Sequence, residues 1–191
     1  MKKIILTALA VFSISFVNAQ ESKGYIGVSI GAAFPGGDLT STENIYDMGT
    51  GLNLGLINAG YRFTENFGLT LNWGSSAFSN KEDNTIVLGL GYLAVGPMVS
   101  FPLNDKIGID LKPQLAFTKG ILDDGTDKVE TNSSTGLLIG SSINFSLASH
   151  WGLAVNLDYL STKFDELGGI KFDTKDTYST FNTSLGIQYK F

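Results

Sequence analysis

Few side chains in this sequence could do chemistry, and they do not gather into a reactive set. The 191 residues hold one histidine, His150, and no cysteine. A Ser or Asp nucleophile needs a base within hydrogen-bond reach, most often His. His150 sits in a short turn beside Trp151, where a solvated role is the expectation, so no catalytic residue is assigned and no enzyme is expected. The absence of cysteine excludes disulfide frameworks, Cys-ligated zinc and thiol catalysis. Asp123-Asp124-Gly125-Thr126-Asp127 has the acidic density of a calcium loop. It lacks the alternating carboxylate spacing and the distant Glu of such loops, so neither metal nor cofactor is expected. No phosphate loop, dinucleotide fingerprint or heptad is present. A net charge of −5 and a pI near 4.7 exclude a non-specific nucleic-acid binder, which needs a basic surface. What remains is a set of polar residues inside otherwise apolar segments: Arg62, Asp110, Lys112 and Asp158, with Gln114 and Asn156. Their meaning depends on the elements that carry them.

Those elements read as strands. Ile107–Thr118 places Ile107, Ile109, Leu111, Pro113, Leu115 and Phe117 on one face, and Gly108, Asp110, Lys112, Gln114, Ala116 and Thr118 on the other. Trp151–Thr162, Phe67–Phe78, Leu137–Leu147 and Phe181–Phe191 alternate in the same way, and Tyr25–Phe34 does so more weakly. Gly51–Phe63 changes phase near Leu56-Ile57, which predicts a bulge. Ile86–Phe101 is apolar on both faces over much of its length, and a transmembrane helix is its rival reading. Gly89, Gly91, Gly96 and Pro97 interrupt it, which favours a strand. Short turns at Thr64–Asn66, Leu103–Lys106 and Ala148–His150 alternate with long connections at Pro35–Thr50, Ser79–Thr85, Lys119–Ser134 and Lys163–Thr177. Eight strands so joined form an up-and-down meander with every long loop at one end. The all-β expectation is one domain, 20–191, behind the leader described below.

The type of polar residue decides which face looks outward. A water-facing surface should be about a quarter to a third charged, yet the polar faces here carry Gly, Ser, Thr and Asn. Charge inside strands is confined to Arg62, Asp110, Lys112, Asp158 and Lys190, with Lys23 at the margin. Such faces suit a narrow lumen. The apolar faces form a lipid-facing band of Leu, Ile, Val and Phe, and Tyr61, Phe63, Phe67, Trp151 and Tyr189 cluster near the short turns as an aromatic girdle. Because unpaired edge groups find no water in lipid, the eight strands must close. The expected fold is an eight-stranded antiparallel up-and-down transmembrane β-barrel. At that size the interior is only wide enough for side chains to fill it. Arg62, Asp110, Lys112, Gln114, Asn156 and Asp158 are therefore expected to form a hydrogen-bonded plug, with Lys112 and Asp158 as a pair. The long loops hold 13 of the 18 acidic residues, the mark of a hydrated surface.

On these features the chain resembles the small eight-stranded outer-membrane barrels, the OmpA transmembrane domain and OmpX. Among them it is most similar to the PorT-like outer membrane protein beta-barrel domain proteins of the Bacteroidota. The resemblance spans Gln20–Phe191, and its most specific motif is the ending, where Leu185, Ile187 and Tyr189 alternate up to a terminal Phe191. That pattern is similar to the signal read by the barrel-assembly machinery, which the resemblance implies as a partner during biogenesis.

Met1–Gln20 reads as an address: Lys2 and Lys3, an apolar stretch Ile4–Val17, and a small-residue cleavage site ending at Ala19. Residues 1–19 are thus expected to be a cleaved signal peptide for export through the inner membrane to a Gram-negative outer membrane. The leading expectation is a non-enzymatic integral barrel with a filled lumen and long surface loops, serving envelope structure or contact with an extracellular partner. One alternative is a narrow pore for small solutes, as in OmpW-type barrels. Another is a soluble lipocalin-like binder with the apolar face inward.

Overall fold

In the computed structural model, residues 23–41 and 47–191 are described; the expected signal peptide lies outside them. Nine strands form in chain order: β1 (Gly24–Gly37), β2 (Gly51–Arg62), β3 (Phe67–Ser79), β4 (Val87–Asn104), β5 (Ile107–Asp123), β6 (Lys128–Glu130), β7 (Ser134–Ser146), β8 (Trp151–Leu167) and β9 (Ile170–Lys190). Eight of them are staves, each antiparallel to its neighbours, and β9 pairs back onto β1 to close the barrel. Alternation of small and apolar residues explains the staves: β-branched and aromatic side chains fit one side of the pleat, and Gly, Ser and Asn the other. The segment Ile86–Phe101 lies, from Val87 onward, within β4, a strand and not a helix.

The sidedness follows the residue types. Leu111 is 45% exposed on the outer wall, whereas Gln114 is 2% exposed in the interior. The same phase holds around the ring, with Val28, Leu69, Leu93, Leu115, Leu153 and Leu185 facing out. This arrangement inverts the lipocalin-like alternative, in which those side chains would face in. The phase change in β2 is a register shift between Gly55 and Ile57 against β3, the bulge that keeps Leu52 and Ile57 on the same wall despite their odd spacing.

The long connections depart from expectation. Lys163–Thr177 is not a loop: β8 and β9 continue pairing to Leu167 and Ile170, across a turn at Gly168-Gly169. Both glycines have positive φ, 61° and 83°, the backbone of a type I′ hairpin turn whose twist matches that of the flanking strands. In Lys119–Ser134 the chain likewise folds back, β6 pairing with the end of β5. An isolated bridge from Thr131 to Leu167 ties β6 to the β8–β9 hairpin. The staves therefore run 12 to 21 residues, longer than the roughly 9–11 that a membrane crossing requires, and the excess projects beyond the wall at the long-loop end. A single 3-10 turn, Asp38–Thr40, follows β1 there.

The interior is stratified. At the long-loop end a buried apolar cluster fills the bore: Phe78, Leu88, Leu90 and Tyr92, with Leu138, Leu160, Phe164 and Tyr178 from the opposite wall, capped by Leu39 and Met48. Phe164 and Tyr178 pack with ring centroids 5.0 Å apart. Below it the bore is polar. A uniformly polar lumen is thus corrected in its upper half. The segment Ile86–Phe101 reads as apolar on both faces for this reason, since its inward residues Leu88, Leu90, Tyr92 and Ala94 belong to the stopper while Leu93 and Val95 face out on the wall.

Candidate functional site

The polar half of the bore is built from the inward phase of the staves, and it separates into tiers. In the upper tier, Asn72 donates to Gln114 Oε1 at 3.0 Å, and Gln114 donates in turn to the Ala94 carbonyl at 3.4 Å. Ser76 is shared between the carbonyl oxygens of Asn53 and Asn182, at 3.2 and 3.3 Å. These amides and hydroxyls bond to one another, as a buried polar layer requires, and only the Asn72 Oδ1 among them is left without a donor.

In the middle tier, Lys112 is fully buried and donates its ammonium to Ser142 Oγ. Ser142 donates to Asn156 Oδ1 at 2.8 Å, and Asn156 donates to Ser184 Oγ at 3.3 Å. Asp158 stands opposite Lys112 across Gly140, the residue that is in register with both. A Cβ on Gly140 would lie 2.4 Å from Asp158 Oδ1 and 3.4 Å from Lys112 Cε. Only glycine leaves that passage clear. The expected Lys112–Asp158 ion pair is nonetheless absent as a direct contact. Among the described residues the four ion pairs are Lys81–Asp47, Lys119–Glu130, Lys128–Asp123 and Lys175–Asp165, all at the long-loop end. Asp158 Oδ1 accepts no hydrogen bond. The two charges flank Gly140 without direct contact, and the ammonium bonds to the Ser142 hydroxyl instead.

In the lower tier, Asp110 accepts from Ser100 Oγ at 2.6 Å and from Asn144 Nδ2 at 2.8 Å. Gln188 donates to Asn144 Oδ1 at 3.2 Å. Arg62 and Lys190 lie below this knot, around an open bowl at the short-turn end. The six polar residues singled out from sequence therefore do not form one network. Lys112 and Asn156 are joined through Ser142, Asp110 and Gln114 sit in separate knots, Arg62 lines the mouth, and Asp158 stands apart. Sequence reasoning missed Asn72, Ser100, Ser142, Asn144 and Gln188, which carry most of the bonds. Their signal was available, because each is a polar residue on the inward phase of its own strand.

On the outer wall, the aromatic residues collect at the short-turn rim. Tyr61 and Phe63 lie 5.9 Å apart, and Phe67 projects outward nearby. Trp151 meets Tyr189 edge-on at 5.5 Å, and His150 stacks on the same Tyr189 ring at 5.6 Å. Leu185 and Ile187 face outward on β9, and Phe191 exchanges backbone hydrogen bonds with Gly24, at 2.8 and 2.9 Å, to complete the seam. At the other end, exposed carboxylates cap their own turns. The hydroxyl and N–H of Thr85 bind Asp83 and hold its carboxyl below the usual range, and the N–H groups of Asp127 and Thr126 do the same for Asp124. No group of three or more His, Cys, Asp or Glu is arranged to hold a metal among the described residues.

Known structures share this architecture. Neisserial surface protein A is similar at a TM-score of 0.65 and 16% identity, over 89% of this chain and 98% of that one. The outer membrane protein AlkL is similar at 0.52 and 14%, over 90% and 91%. The N-terminal barrel of Pseudomonas aeruginosa OprF is similar at 0.50 and 12%, over 90% and 100%. At such identities the likeness is one of fold. No curated protein matches the sequence significantly. Residues 4–191 match the family described as Outer membrane protein beta-barrel domain. With its closed eight-stave ring, outward apolar wall and rim of aromatics, the chain belongs to the outer membrane protein beta-barrel domain family, and it is a bacterial outer-membrane barrel.

Proposed function

We propose that this protein is a non-conducting, non-enzymatic barrel of the outer membrane, whose role is structural or lies in surface contact through its long-loop end. The observation that carries the reading is the apolar stopper, in which Phe78, Leu90, Tyr92, Phe164 and Tyr178 fill the bore beneath Leu39 and Met48. An ion crossing that layer would shed its hydration among side chains that offer no replacement, a large cost. The bonded tiers below it support the same reading. Planar-bilayer recordings should give no discrete conductance for the wild type, and the combined substitution of Phe78, Phe164 and Tyr178 by Ala should create one. Discrete openings in the wild type would favour the narrow-pore alternative, to which the open bowl at the short-turn end lends support.

In this reading Met1–Ala19 directs export and is removed, and Leu185, Ile187, Tyr189 and Phe191 guide delivery to the barrel-assembly machinery. Tyr61, Phe63, Phe67, Trp151 and Tyr189 seat the short-turn rim at the lipid interface, where amphipathic rings are favoured. The extracellular partner meets the hairpins built from β5–β6 and β8–β9, whose bridged strands present a braced surface.

A further inference from the structure

The bowl at the short-turn end has a volume of about 1110 Å³, and its wall includes Lys23, Arg62, Lys190, Asp110, Asn144 and Ser146. Arg62 is the single arginine of the sequence. Its Nε is buried and donates to no acceptor, an expensive condition for a guanidinium, whose fork of N–H groups has no use but to bind oxygen. Lys190 donates to a neutral acceptor, Ser146 Oγ, at 2.6 Å. None of Lys23, Arg62 and Lys190 makes an ion pair, since all four ion pairs of the described residues lie at the other end.

The inner carboxylate of the bowl, Asp110, is held by the Ser100 hydroxyl and the Asn144 amide and makes no ion pair with any of the three. Glu65, Asp105 and Lys106 belong to the rim turns, where water screens them. Cations of like sign thus converge on a recess in which no side-chain carboxylate pairs directly with them, and one of them has an unmet donor. A planar guanidinium beside an ammonium matches the geometry of a phosphate or carboxylate group.

We propose that this bowl is a binding site for the oxyanion group of a small solute, a phosphate or a carboxylate, gripped by the Arg62 fork and the Lys190 ammonium with Lys23 at its edge. The proposal holds whether or not the bore conducts, because it requires only access from the short-turn side.

The full chain, refolded in octyl glucoside so that no detergent phosphate competes, offers one arginine Nε–H signal for nitrogen NMR. Inorganic phosphate and acetate should be titrated separately against chloride at constant ionic strength. A saturable shift of the Arg62 signal, with slowed exchange of its proton, is expected for phosphate or for acetate, and the stronger of the two identifies the group. Lys190→Met should raise the half-saturating concentration by roughly tenfold, the loss of one charge-assisted bond. The long-loop variant Lys81→Met should leave it unchanged. Heat-modifiable gel mobility establishes that each variant is folded; should Lys190→Met not fold, Lys190→Gln replaces it. A shift that never saturates, or that chloride reproduces, overturns the proposal. So does a folded Lys190 variant with affinity within about twofold of wild type.

Discussion

The Lys112–Gly140–Asp158 row concentrates the electrostatics of the bore in three side-by-side residues of β5, β7 and β8. Lys112 is wholly buried and Asp158 nearly so, and each is the charge that offsets the other. Removing one member of a buried pair leaves the other uncompensated, whereas removing both with apolar substitutes of similar size is often nearly neutral. Lys112→Met should therefore lower unfolding free energy by about 3–5 kcal/mol, and adding Asp158→Leu should restore most of it. Urea unfolding in lipid vesicles measures both; strictly additive losses would mean that the two charges do not interact. The hydrogen bond from Lys112 to Ser142 does not weaken this expectation, since a through-space pair in a low-dielectric bore still interacts strongly.

At the scale of elements, the hairpin that extends β8 and β9 depends on Gly168 and Gly169, both in the left-handed region. A side chain there costs about 1–2 kcal/mol per residue, and a Cβ at Gly168 would also lie 2.3 Å from Val129 of β6. Replacing both glycines by Ala should leave the staves intact but abolish hydrogen-exchange protection near Glu166 and Lys171, with the bridge from Thr131 to Leu167 lost as well. Protection unchanged there would show that the turn does not hold the hairpin. This hairpin also marks the limit of what the sequence made legible. The bulge in β2, the outward wall and most of the staves follow from period-2 alternation, while β4 was read as a strand from the breakers Gly89, Gly91, Gly96 and Pro97. The Gly-Gly turn was equally visible, but Lys163, Asp165, Glu166, Lys171, Lys175 and Asp176 make the segment look like a hydrated loop. Polar composition masked a pairing that backbone geometry sets. The lumen was readable as a face and not as a network, because alternation gives direction while the height at which inward residues meet depends on the stagger between strands. Thus Asp110 and Asn144 come together although neither spacing nor residue type marks them as partners.

For the whole molecule, the outer wall must meet hydrocarbon over a limited height. A charge on it should cost most near the middle of the band and little at its edge. Leu111→Arg should accordingly lower stability by about 2–4 kcal/mol in lipid vesicles, and Leu103→Arg, outward at the short-turn end and 61% exposed, by about 0–1 kcal/mol. Equal penalties at the two heights would contradict a membrane-embedded wall. The seam between β1 and β9 has a consequence for synthesis. The strand made first and the strand made last in this ring are each other's neighbours, so a nascent chain leaving the ribosome can seal nothing until the final stave has emerged. Every intermediate before that moment carries two raw margins and a greasy exterior through aqueous compartments. Closure is therefore a single late event, the pairing of the last strand with the first, and lipid is the surroundings in which the unpaired margins could least be left open.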